Sequence, residues 1–72
     1  MTEQEIDRFI SQIDEHGTEI ILKGEKHKIY HFPDMGLHKP YTLTAYGQTN
    51  LSEIELRQLL AGDLTLNDFY WY

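Results

Sequence analysis

Thr18-Glu19-Ile20-Ile21-Leu22-Lys23-Gly24-Glu25-Lys26-His27-Lys28-Ile29-Tyr30-His31-Phe32 is the stretch that decides the fold. Its two arms are rich in β-branched and aromatic residues, and Lys23-Gly24-Glu25-Lys26 punctuates them. Glycine first in a two-residue loop is the type II′ signature, so the run predicts a β-hairpin with arms at 18–23 and 26–32. That register sets Leu22 opposite His27, Ile20 opposite Ile29 and Thr18 opposite His31 on one face. The other face carries Glu19 opposite Tyr30 and Ile21 opposite Lys28, so the first face is the better core candidate. Lys23 would also meet Lys26, a mild like-charge penalty; a four-residue loop would keep the same pairing further in.

Before the hairpin, Thr2-Glu3-Gln4-Glu5 reads as a capping box, and Ile6, Phe9, Ile10 and Ile13 follow at the spacing of one helical stripe. A helix is therefore expected over 3–15, with Gly17 as its left-handed cap and His16 at the negative end of its dipole. Glu3, Asp7 and Asp14 would fall within about 40° of one another and form an acidic edge.

After the hairpin, Pro33-Asp34-Met35-Gly36 is turn chemistry, and Tyr41 to Tyr46 alternates as a third strand. Leu51-Ser52-Glu53-Ile54-Glu55-Leu56 combines a capping box, Ser52 with Glu55, and a hydrophobic staple, Leu51 with Leu56. A second helix is expected to run to Ala61, with Gly62 just past its end. Its buried stripe is Leu56, Leu59 and Leu60, and Ile54 stands about 160° from Leu56 around the axis. Thr65-Leu66-Asn67-Asp68 can cap one more helical turn. The expected fold is α+β, in the order α-β-β-β-α with a short final turn or strand. Two helices would pack on one face of a three-stranded antiparallel sheet.

The 72 residues allow a single domain, 1–72, and one this small hides only about 60% of its unfolded surface. There is no cysteine, which removes disulfides, thiolate metal sites and cysteine nucleophiles. The first residues have no basic and apolar leader pattern and no apolar run reaches about 18 residues, so a cytoplasmic chain away from membranes is expected. Net charge is −6, unevenly spread. Residues 1–19 hold six acids and one base, 20–48 hold two acids and four bases, and 49–72 hold four acids and one base. Nucleic acid is disfavoured as a partner by this field, and any such contact must come from the middle.

Catalytic sites find little material. Ser52 is used as a cap and Ser11 lies mid-helix on the polar side. Glu53 and Glu55 splay to different sides of their helix. Gly17, Gly24, Gly36, Gly47 and Gly62 are scattered, without a phosphate-cradling cluster. His27, His31 and His38 lie close in sequence, but His27 and His31 on one strand stand about 13 Å apart, too far for one ion unless His38 and Asp34 fold back. No enzyme activity, metal or cofactor is expected.

Phe69-Tyr70-Trp71-Tyr72 is the chain's most informative oddity. Phe69 and Trp71 can dock into the core while alternate residues face outward, giving an aromatic patch with Tyr46 and Ile54 for a protein partner or a second copy of the chain. The leading expectation is a non-catalytic module that regulates a larger protein through an aromatic and acidic surface. In class it resembles the small acidic accessory proteins of bacteria and their phages, although no family motif is present. A second expectation is an inhibitor that imitates nucleic acid, its Glu3, Asp7 and Asp14 row standing in for backbone phosphates on a basic enzyme. A third is weak nucleic-acid binding by the hairpin through Lys23, Lys26 and Lys28, with Tyr30 and Phe32 to stack bases.

Overall fold

The computed structural model of the chain describes residues 1–33 and 38–72. In order, the elements are α1 (Glu3–Gln12), β1 (Thr18–Leu22), β2 (Glu25–His31), β3 (Tyr41–Thr44), β4 (Gln48–Leu51), α2 (Glu53–Ala61) and a 3-10 turn at Leu66–Asp68. The class is α+β as expected, but the sheet has four strands rather than three, in the antiparallel order β1-β2-β3-β4. The additional strand is Gln48-Thr49-Asn50-Leu51, which pairs with β3 across the Ala45-Tyr46-Gly47 loop. Its first three residues are polar and lack the β-branched density that marked the other strands. Beyond Pro33, the turn expected at 33–36 lies outside the described residues, as does Asp34.

The hairpin turns one residue earlier than expected. Leu22 faces Glu25, which leaves Lys23 and Gly24 as the two loop residues. Both have positive φ, 51° and 79°, the type I′ geometry rather than II′. This shift takes Lys23 away from Lys26 and places Glu19 opposite Lys28, so a repulsive pair gives way to an attractive one. Moving the turn by one residue alters both strands equally, so each side chain stays on its expected face. Ile20 now faces His27, and Thr18 faces Ile29.

One cluster of buried side chains joins that face of the sheet to both helices. Ile20, Ile29, Tyr41, Leu43 and Leu51 come from the strands, Ile6 from α1, and Leu56, Leu59 and Leu60 from α2. Ile13 and Leu66 complete it from just outside the elements. The opposite face has no helix against it among the elements described.

Both capping boxes form. The Thr2 and Ser52 hydroxyls accept from the N–H groups of Glu5 and Glu55, whose carboxylates accept from the cap N–H groups in return. Leu51 and Leu56 of the staple are both fully buried, and Gly62 closes α2 in the left-handed conformation. α1 stops at Gln12, short of residue 15, because Ile13 turns extended and the Asp14 carbonyl accepts from the His31 N–H instead. Gly17 therefore does not cap α1. It serves the turn into β1, with the Tyr30 ring close over it.

Candidate binding surface

The aromatic segment 69–72 is held by its own backbone and by two polar anchors. Gln48 and Tyr72 exchange reciprocal N–H to carbonyl bonds of 2.9 and 3.0 Å, so Tyr72 sits as a strand stub on the outer edge of β4. The Trp71 indole N–H donates to the Leu66 carbonyl at 2.8 Å, and its ring meets Tyr46 edge-on at 5.6 Å. The Asn50 amide donates to the Tyr72 hydroxyl at 2.8 Å. Phe69 and Trp71 are half-buried against the core, whereas Tyr70 and Tyr72 stay 82% and 64% exposed, and Tyr46 is 65% exposed. The structure thus brings five of the six expected contact residues around β4. Ile54 is the exception: it is 70% exposed on α2, and no contact described links it to these rings.

The surface continues onto the open face of the sheet through residues that the aromatic-patch expectation left out. Tyr72, Phe32, Thr42, Gln48 and Asn50 line a concavity of about 250 Å³. Phe32 stacks on Tyr30 at 5.9 Å, and Thr42 donates from its hydroxyl to the Asn50 side chain at 3.0 Å. Alternation along β2 already placed Tyr30 and Phe32 on one face with Lys26 and Lys28. What the chain alone did not reveal was β4, which carries Asn50 to that face and docks Tyr72 beside it.

Beside this surface, Lys39 pairs with Glu55 at 3.3 Å. Burial pushes the Glu55 carboxyl up, but the Ser52 N–H and the Lys39 ammonium outweigh it and hold the group below its ordinary value. Glu55, Lys39, Asp68, Phe69 and Tyr70 share a second concavity of about 340 Å³ with Tyr72.

The acidic edge does not form as expected. Asp14 lies beyond the end of α1 and its carboxylate accepts from the His16 N–H at 2.9 Å. Asp7 is bound to the Arg57 guanidinium at 2.6 Å, which also reaches Glu53 and so ties α1 to α2. Only Glu3 keeps an exposed carboxylate on α1 without such a partner among those described. In the hairpin, Lys23 occupies the turn, Lys26 faces Ile21, and Lys28 faces Glu19.

The histidines are spread apart in role. His31 stacks on Tyr41 at 4.7 Å, His38 and His16 are exposed, and the imidazole of His27 is buried, its Nε2 3.8 Å from Glu25 and without a hydrogen-bond partner among the described residues. Among the described residues, no group of three or more histidine or carboxylate side chains could hold a metal ion, and no helix is long and apolar enough to cross a membrane. The Ser11 hydroxyl donates to the Arg8 carbonyl rather than to a base. No protein-family model, curated protein or solved structure matches this chain.

Proposed function

We propose that the chain is a non-catalytic protein-binding module that acts on a larger partner through the aromatic surface around β4. The observation that carries this reading is that residues 69–72 are anchored at Gln48, Asn50 and Leu66 while Tyr46, Tyr70 and Tyr72 project into solvent. Ordering a segment costs conformational entropy, and a segment already ordered in the free protein does not incur that cost again on binding. Tyrosine suits such a surface, because it offers a large amphipathic ring with only two side-chain torsions. The net charge of −6 favours a partner whose contact face is basic.

Tyr70 is the residue to test, because its exposed ring can be removed without opening the core. Tyr70→Ala should cost about 2 kcal/mol of binding, roughly a 30-fold weakening, if the ring is a contact anchor. The tagged wild-type protein should recover one stoichiometric protein from a host lysate, and Tyr70→Ala should lose it while keeping the native circular dichroism. Recovery of nothing specific, or recovery unaffected by Tyr70→Ala and Tyr46→Ala together, would count against the reading.

A second reading draws on the placement of Lys26, Lys28, Tyr30 and Phe32 on one uncovered face, an arrangement suited to single-stranded nucleic acid. Glu19 opposite Lys28 and the overall charge oppose it. Retention of single-stranded nucleic acid on filters at low salt separates the two readings, since the first expects none.

A further inference from the structure

We propose that the outer edge of β1 pairs with the same edge of a second copy of this chain, antiparallel about a two-fold axis at Ile21. The hydrogen-bonding directions follow from two bonds. The His31 N–H reaches back to the Asp14 carbonyl on the β1 side, and the Phe32 N–H reaches the Pro40 carbonyl on the β3 side. Odd-numbered residues of β2 therefore point their backbone groups toward β1, where they meet Thr18, Ile20 and Leu22. Glu19 and Ile21 must point theirs outward. No loop or cap bond among the described residues engages them.

The two edges of the sheet are thus treated differently. Tyr72 covers Gln48 on the β4 edge, whereas among the described residues no backbone hydrogen bond covers the β1 edge in the same way. Exposed edges are usually guarded by charged side chains, proline or a bulge; of the two outward-pairing residues here Glu19 is charged, but Ile21 is apolar and 63% exposed.

Side-chain chemistry selects the partner and the register. An axis at Glu19 would oppose two glutamates, and an axis at Ile20 would set Glu19 against isoleucine. With the axis at Ile21, Glu19 comes level with Lys23 at the start of the second copy's turn, an acid beside a base, twice by symmetry, and the two Ile21 side chains cover each other. On the core side, Leu22 would face Ile20 of the second copy. A concavity of about 270 Å³ along this edge, where Leu22, Leu59, Leu64 and Leu66 meet Lys23 and Thr65, gives the incoming Leu22 a largely apolar seat.

In this register the two strands overlap only over residues 20–22 and bury little area, so the dimer belongs to the weak class, below roughly 1,200 Å² in total. Sedimentation equilibrium from about 10 μM to about 1 mM spans the affinities of that class. The expected result is a monomer–dimer equilibrium within the range. Ile21→Lys, which places two ammonium groups at the axis, should weaken it at least about tenfold. Lys23→Asn is the complementary variant: asparagine suits the type I′ turn, so the fold should become no less stable while the dimer still weakens by loss of both ion pairs. In concentrated wild-type samples the backbone amide of Ile21 should gain protection from exchange. A monomer throughout, or a dimer that keeps its strength in both variants, would overturn the proposal.

Discussion

Leu43→Ala is expected to destabilise the protein by about 3–5 kcal/mol, because Leu43 is fully buried in an interior strand and its truncation leaves a cavity among packed core side chains. Leu43 pairs with Ile29 on one side and Thr49 on the other, and its side chain enters the single cluster that joins the sheet to both helices. Native domains hold roughly 0.05–0.15 kcal/mol per residue, which for this chain is on the order of 4–11 kcal/mol. One deletion thus removes a large share of the total. In urea the midpoint should fall by about half with the slope unchanged, since the unfolded surface exposed stays nearly the same. A loss below about 1 kcal/mol would mean that this position is not the packed centre.

Gly47→Ala should detach the aromatic segment from β4. Gly47 has φ of 148°, a backbone region that L side chains rarely adopt, and an added Cβ would lie 2.8 Å from the Tyr72 carbonyl oxygen. A backbone atom cannot swing aside as a flexible side chain can. The Gln48–Tyr72 pairing must therefore open, at a cost of about 1–3 kcal/mol. Trp71 lies next to Tyr72 and is the only tryptophan, so its fluorescence reads the event directly. Its emission should move toward that of free indole, and quenching by acrylamide should rise. Gly24→Ala is the control, because its φ of 79° also strains an L residue but leaves open space around the new Cβ. It should lower stability without moving the Trp71 emission. An unchanged Trp71 signal in Gly47→Ala would show that the segment is not held where the geometry places it.

Features set by short-range chemistry were legible in the chain. Ser52 with Glu55 and Thr2 with Glu5 announced two helix starts, and both formed with reciprocal hydrogen bonds. Strand alternation assigned Ile20 and Ile29 to the core face even though the turn type was misread, because sliding the turn by one residue moves both arms together. Two features were decided by distant partners and left no local mark. Gln48-Thr49-Asn50 becomes a strand because β3 offers its free edge on one side and Tyr72 completes the other. Asp14 leaves the helix because His31 needs an acceptor, which also dissolves the acidic row expected along α1. The division of labour in the aromatic segment was half visible. Alternation predicted that Trp71 and Tyr72 would point apart, but Asn50 as the anchor for Tyr72 depended on the unforeseen strand.

This division of labour also changes which residue probes binding. Trp71 donates to the Leu66 carbonyl and packs against the core, so its removal would disturb folding and recognition together. Tyr70 is the cleaner probe, since its ring projects from a backbone that other residues hold, whereas the Tyr46 ring also packs edge-on against Trp71.

Backbone amide exchange at Tyr72 tests the central claim most directly, namely that this segment is an ordered part of the fold which displays its tyrosines. If the Tyr72 N–H is bonded to the Gln48 carbonyl, it should exchange at least about tenfold more slowly than in a free peptide of the same sequence. Exchange at the free-peptide rate would mean that residues 69–72 are not anchored in solution, and the proposed recognition surface would lose its basis.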